Sequence, residues 1–325
     1  MDTRIPSATK GDKLNSEDAF AADKVRQHDV DGWLFRKPKE KYESAGNYSK
    51  SRLDPNSETY DMNHERRGVA LIFNHINFKK MTPRKGTIKD CTDFSRVLKC
   101  LGFEVRVYAD KSTKHIQQVL KSTAAEDHSN SDCFLVAVMT HGESGFLHSC
   151  EELYPVDTLW NFFTGEKCTT LAGKPKLFFI QACRGERLDK GVKIIHETDS
   201  GSTYSIPAYA DILVAYSTYD GYYSWRNQEA GSWFIQAICE EFEQSARTRD
   251  LLTMLTFVNR RVAIEYQSYV PQNRHFHERK QIPSIVSMLT RLVYFTQKET
   301  IKSSSNQIES FQKIYAREAG AGTEN

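Results

Sequence analysis

Two side chains that can do chemistry together close two apolar runs. Cys183 ends the run Lys176-Leu177-Phe178-Phe179-Ile180-Gln181-Ala182 and is followed by Arg184 and Gly185. His141 ends Cys133-Phe134-Leu135-Val136-Ala137-Val138-Met139-Thr140, 42 residues upstream, and is followed by Gly142. A free cysteine titrates near pH ~8.5 and becomes an effective nucleophile when a neighbour takes its proton. If the two runs are parallel, adjacent strands, thiol and imidazole meet at the carboxyl edge of one sheet, where open α/β sheets hold their active sites. Gly142 would let a substrate approach the backbone. Its N–H, with that of Cys183, could bind the oxyanion of an acyl-transfer intermediate, at roughly 3 to 4 kcal/mol for such a donor. A strand-end cysteine is more often an inert core residue, and periodicity alone does not make the strands neighbours.

The surrounding pattern supplies the strands and helices to build such an edge. Gly68 to Asn74 is a continuous apolar run, as expected for a strand covered on both faces. Thr87 and Asp90 resemble a capping box, followed by Ile88, Cys91, Phe94, Leu98 and Leu101 at helical spacing, with Gly102 ending the helix. Phe103 to Tyr108 alternates as a strand. Ile116, Val119 and Leu120 mark a second helix, and Val156 to Phe163 a further helical stretch. After a polar break from Arg187 to Pro207 come a strand at Asp211 to Ser217 and a helix with Phe234, Ile238 and Phe242 on one face. Another helix follows, with Leu255, Val258, Val262 and Tyr266, and a last strand begins at Pro283. Alternating strands and helices predict an α/β fold, a mainly parallel sheet with helices on both faces. Residues 1 to about 64 and the polar tail from Lys298 read as disordered, with order beginning at Arg67.

Composition narrows the function classes. The 44 basic and 42 acidic residues of this 325-residue chain argue against an electrostatic nucleic-acid binder. The longest apolar run, Cys133 to Met139, has seven residues, so no membrane span is expected. Met1 to Pro6 lacks the apolar stretch of a signal peptide, which points to an intracellular, cytoplasmic protein. The seven cysteines are scattered without a C-x-x-C pair, so neither a disulfide framework nor a zinc site is expected. His275 and His277 have no cysteine ligand nearby. No cofactor is implied.

Several segments resemble the caspase family. Gln181-Ala182-Cys183-Arg184-Gly185 fits the family's nucleophile motif, and Thr140-His141-Gly142-Glu143 is similar to its His-Gly motif. Gly221-Tyr222-Tyr223-Ser224-Trp225-Arg226-Asn227 with Gly231-Ser232-Trp233-Phe234 resembles the substrate-groove segment, and Lys280 to Thr290 the last core strand. The resemblance spans about residues 60 to 297 and points to an executioner (effector) caspase. It implies a three-layer α/β/α fold on a six-stranded sheet, cleaved into large and small subunits, and a homodimer with a continuous sheet. The expected divisions are an arm at 1–31, a large subunit at 32–199, a small subunit at 200–297 and a tail at 298–325.

The resemblance also implies roles. Cleavage would follow aspartate. Arg84, Gln181 and Arg226 would form the pocket for the substrate residue before the cut bond (P1), since two guanidinium forks suit one carboxylate and reject neutral or basic side chains. Ser224 belongs to the same groove. Tyr223 and Trp225 would line the next pocket, and Trp233 and Tyr269 the fourth, with Asn227 offering hydrogen bonds to an acidic P4 side chain. The polar linker holds His196-Glu197-Thr198-Asp199, an activation site for an upstream initiator caspase. The arm would be cut after Asp18 or Asp31. Cutting after Asp18 exposes Ala19, which resembles the motif bound by the BIR domains of inhibitor-of-apoptosis proteins. The last strand, near Ile285 to Leu292, would pair with its two-fold mate. Two readings compete. One is an inactive scaffold, which would be expected to lack Cys183 or His141. The other is a related cysteine hydrolase of other specificity, which would need acidic residues where Arg84 and Arg226 stand.

Overall fold

The computed structural model describes residues 56–188 and 209–298. Its strands, in chain order, are β1 (Val69–Asn74), β2 (Glu104–Ala109), β3 (Phe134–Met139), β4 (Gly142–Glu143), β5 (Phe146–His148), β6 (Leu153–Pro155), β7 (Lys176–Gln181), β8 (Ile212–Tyr216), β9 (Arg226–Asn227), β10 (Gly231–Ser232) and β11 (Ser284–Ser287). Its helices are α1 (Thr87–Cys100), α2 (Thr113–Ala124), α3 (Trp233–Ser245) and α4 (Leu251–Glu265). The expected cuts at Asp18, Asp31 and Asp199 lie outside the described residues.

Six strands form one sheet in the order β11-β8-β7-β3-β1-β2. Five run parallel, and β11 is antiparallel to β8. The continuous apolar runs follow from cover on both faces. Ala70, Ile72, Ala137 and Phe179 face α1, α3 and α4, while Leu71, Phe73, Val136 and Phe178 face α2 and the short turns beyond β6. Truncating a buried phenylalanine in such a layer typically costs about 3–5 kcal/mol. Among the described residues no helix is long and apolar enough to cross a membrane.

Several local expectations need correction. Helix α1 is capped by Gly86 in the left-handed region, with no side-chain cap. Asp90 turns away from its own helix end to bind α3. The stretch from Val156 is a single 3₁₀ turn, Val156–Leu159, entered from Pro155; Leu159 and Phe163 are buried in the α2-side core without a regular helix between them. Helix α4 stops at Glu265, and Tyr266 is already extended. Strand β11 ends at Ser287, well short of Leu292. Beyond it the chain leaves the sheet, where Thr290 bonds Asp211 and Tyr60.

The supposed arm and tail meet there. Thr59 bridges Leu292, the Tyr60 N–H donates to the Leu292 carbonyl at 3.0 Å, and Tyr60 and Met62 are only 4% and 2% exposed. Lys298, expected in the tail, reaches Asp132 at 2.9 Å, beside the wholly buried Arg67–Asp132 pair at 2.8 Å. Arg67 also donates to the Thr296 carbonyl. Segments 57–66 and 288–298 are therefore laced together by main-chain bonds and one buried ionic cluster. Neither segment shows this in its own periodicity.

Candidate active site

The register of the sheet builds the site. Met139 stands opposite Gln181 in the β3–β7 ladder, so His141 and Cys183 each leave the sheet two residues beyond a matched pair. The Thr140 N–H extends the ladder to the Gln181 carbonyl at 3.0 Å. Ser217, buried just after β8, holds Ala182 by both its N–H and its carbonyl, at 3.2 and 2.9 Å. On the other side, the His148 N–H donates to the His141 carbonyl and pins β5 beneath the turn. A Cβ on Gly142 would fall 2.9 Å from the Cys183 carbonyl oxygen, so this approach requires glycine.

The imidazole is oriented from its far side. His141 Nε2 lies 3.0 Å from the Thr82 carbonyl, and Phe78 packs against the ring at 4.8 Å. A carbonyl can only accept, so the Nε2 atom carries the proton and Nδ1 is left with a lone pair. Burial lowers the His141 pKa to about 4, aided by the positive charges of Arg84 and Arg226 and only partly offset by Thr82. Burial also raises the Cys183 thiol above its ordinary range, while the Ser224 N–H, Arg84 and Arg226 pull it back. The Ser224 N–H donates to Sγ at 3.4 Å. The pair is therefore thiol and neutral imidazole at neutral pH.

Beside the thiol sits a pocket with unmet polar groups. Arg84 is 1% exposed; its Nη1 donates to the His75 carbonyl at 3.2 Å and Thr87 Oγ1 at 3.0 Å, but its Nε has no partner. Gln181 donates to Ser224 Oγ at 2.8 Å and leaves its Oε1 unpaired. Arg226 donates through Nε to the Lys85 carbonyl at 2.8 Å. Among the described residues neither arginine is in ion-pair contact with a carboxylate. Burial first, then the charge of Arg226, lowers the Arg84 pKa to about 9, and burial lowers that of Arg226. Two like charges near Cys183, neither in direct contact with a carboxylate among the described residues, make a site that an acidic side chain would complete.

An aromatic wall continues from the pocket. Trp225 stacks on Trp233 at 5.7 Å, Trp233 on Tyr266 at 5.5 Å, and Phe276 meets Tyr223 and Trp225 edge-on. Tyr269 stands apart from this wall: it is 82% exposed and its ring meets His277. Tyr266, three residues earlier, is the tyrosine that joins Trp233, because α4 ends just before it and turns its ring inward. Asn227 uses Oδ1 to accept from the Glu229 and Ala230 N–H groups, which leaves its amide nitrogen as its remaining donor. Gln281 accepts from the Trp225 N–H and donates to the Ser217 carbonyl, both at 2.6 Å, tying this wall to β8.

Sequence reasoning did not single out Thr82, Phe276, Gln281 or Tyr266 as site residues. Thr82 acts through its main chain, which no residue type announces. Phe276 lies in a charged loop, Arg274-His275-Phe276-His277, where one apolar residue has no periodicity to mark it. Among the described residues no cluster of three or more metal-ligating side chains occurs.

Comparison with known proteins places this arrangement. The Caspase domain family matches residues 67–294. Caspase-1 of Spodoptera frugiperda is 49% identical over 253 residues, covering 76% of this chain and 85% of that protein. Caspase drICE of Drosophila melanogaster is 47% identical over 260 residues, covering 78% and 77%, and caspase-3 of Bos taurus 42% identical over 246, covering 73% and 88%. The crystal structure of the Spodoptera caspase-1 superposes with a TM-score of 0.73 at 48% identity, covering 78% of this chain and 98% of that one. With a family match across most of the chain and cysteine and histidine at one sheet edge, the chain belongs to the caspase family of cysteine endopeptidases, enzymes that act on protein substrates.

Proposed function

We propose that this chain is an executioner caspase that cuts proteins after aspartate during apoptosis. The carrying observation is the pair Arg84 and Arg226, two guanidinium groups beside Cys183 with no carboxylate partner among the described residues. With Gln181 they receive the P1 carboxylate; a neutral or basic side chain would leave both charges unpaired. Tyr223, Trp225 and Phe276 line the next pocket, and Trp233 the fourth. Asn227 donates to an acidic P4 side chain, with Ser224 completing the groove beside Gln181.

In the reaction, His141 Nδ1 takes the Cys183 proton as sulfur attacks the scissile carbonyl carbon. The Gly142 and Cys183 N–H groups hold the oxyanion. Collapse breaks the C–N bond, and His141 returns the proton to the leaving amine. Water, deprotonated by the same imidazole, then hydrolyses the thioester and frees the thiol.

We place this enzyme in the cytoplasm as a zymogen. Cleavage after Asp199 by an initiator caspase separates large and small subunits, and removal of the arm follows Asp18 or Asp31. Release at Asp18 presents Ala19 to the BIR domains of inhibitor-of-apoptosis proteins. Two processed units pair through β11, which is the sheet's edge strand and carries the exposed side chains Val286 and, just beyond, Met288; an open apolar edge favours a two-fold partner. The test is turnover of fluorogenic tetrapeptides ending in Asp, Asn or Lys by the processed protein. Cleavage of the Asp peptide alone supports the reading, and equal cleavage of the Asn peptide removes the pocket assignment.

A further inference from the structure

The two arginines sit on different parts of the chain. Arg84 belongs to the loop before α1, and Arg226 to the β9–β10 hairpin before α3. Something must hold loop and hairpin together, because two positive groups near each other repel. Three contacts do so. The Arg226 Nε donates to the Lys85 carbonyl at 2.8 Å. Gly86 packs so closely on the hairpin turn that a Cβ there would lie 2.6 Å from the Asn227 oxygen and 2.7 Å from that of Gln228. The third is Asp90, in the first turn of α1 and fully buried. Its carboxylate accepts the Ser232 N–H at 2.8 and 3.1 Å and the Gln236 amide at 2.9 Å. Gly231 has φ +87°, and a Cβ there would fall 2.4 Å from Asp90 Oδ1, so this glycine admits the carboxylate.

We propose that Asp90 is a positioning residue for the P1 pocket, latching the hairpin that carries Arg226 onto the loop that carries Arg84. The proposal rests on the reading that these arginines receive the P1 carboxylate. A carboxylate in the first turn of a helix ordinarily serves that helix. Here its bonds go instead to the N-terminus of α3, on the other side of the pocket. Its charge also favours the protonated form of both arginines without forming an ion pair with either. The guanidinium groups thus stay charged yet free for a substrate. Asp90 is outside the Cys183–His141 pair, which is carried by the ends of β7 and β3. Loss of Asp90 should therefore weaken substrate binding more than it slows the chemistry.

The experiment compares processed wild-type protein with Asp90→Ala and Asp90→Asn on an Asp-terminated tetrapeptide. Alkylation of Cys183 by iodoacetamide, which is small and neutral, reports the nucleophile without the pocket. Asp90→Ala should raise KM about tenfold or more, with kcat and the alkylation rate within about threefold of wild type. Asp90→Asn keeps an acceptor for the Ser232 N–H but not the charge, so its KM should fall between the two. A wild-type KM in Asp90→Ala overturns the proposal, as does a parallel loss of kcat and alkylation, which marks general disruption. If Asp90→Ala does not fold, Asp90→Asn decides: a raised KM at unchanged kcat upholds the latch, and a wild-type KM removes it. A wild type that cuts Asn and Asp peptides equally would sink the pocket reading itself. An Asp-specific wild type with an unmoved KM in Asp90→Ala sinks only the latch.

Discussion

The Nε2 atom of His141 stands 3.0 Å from the main-chain carbonyl of Thr82, and that bond sets which nitrogen keeps the lone pair. Because the acceptor is a backbone oxygen, the Thr82 side chain is dispensable to it. Thr82→Ala should keep kcat/KM within about threefold, whereas His141→Ala or Cys183→Ala should remove about a thousandfold or more, since base and nucleophile act as a unit. Steady-state kinetics on an Asp peptide, with circular dichroism to confirm folding, checks this. A Thr82→Ala enzyme as impaired as His141→Ala would show that the side chain, not the carbonyl, orients the ring.

The protonation state of this pair gives a second test. His141, held at about 4, stays neutral through physiological pH, and the Cys183 thiol is raised by burial. The free enzyme therefore holds little thiolate at pH 7. Iodoacetamide alkylation of Cys183 should climb by about tenfold per pH unit from pH ~6 to ~8.5 with no plateau. A plateau beginning below pH ~7 would reveal a standing thiolate–imidazolium ion pair instead.

How much of this was legible in the chain depended on where each contact comes from. Strands β1, β3 and β7 announce themselves because cover on both faces makes every residue apolar. Their common edge then follows from strand order, and Cys183 and His141 with it. Tyr60 and Met62 are not legible, because two isolated apolar residues become core only when the distant segment with Val293 and Phe295 arrives. Asp90 reads in sequence as part of a capping box because that pattern is local, yet its hydrogen-bond partners are Ser232 and Gln236. The resemblance places Tyr269 in the groove. The end of α4 at Glu265 gave that place beside Trp233 to Tyr266.

Specificity should follow the arginines. Arg226→Ala leaves a substrate carboxylate poorly paired in a half-buried pocket, at a cost of about 3–5 kcal/mol. That corresponds to a loss of roughly 10² to 5 × 10³ in kcat/KM for Asp substrates. Arg226→Lys should recover little, because an ammonium cannot reproduce the planar fork. An Arg226→Lys enzyme with wild-type kinetics would remove the bidentate reading.

Activation should depend on the linker. An Asp199→Ala chain should resist cutting at that position and stay weakly active, if cutting is what lets the loops around Arg226 assemble the groove. N-terminal sequencing of the small fragment, timed against activity, tests this. A new terminus at Ser200 appearing together with activity supports it, and full activity in the uncut variant would shift control to dimerisation.

The lacing of segments 57–66 and 288–298 has a consequence for such a cut. Strand β7 comes before the linker and β8 after it, and the two are paired in the sheet. The buried Arg67–Asp132–Lys298 cluster joins residues before the linker to a residue after it. Severing the linker thus breaks a covalent neighbour without removing a spatial one. The nicked protein remains a single body with four chain ends, and peptide hydrolysis becomes a change of loop freedom rather than a separation of parts.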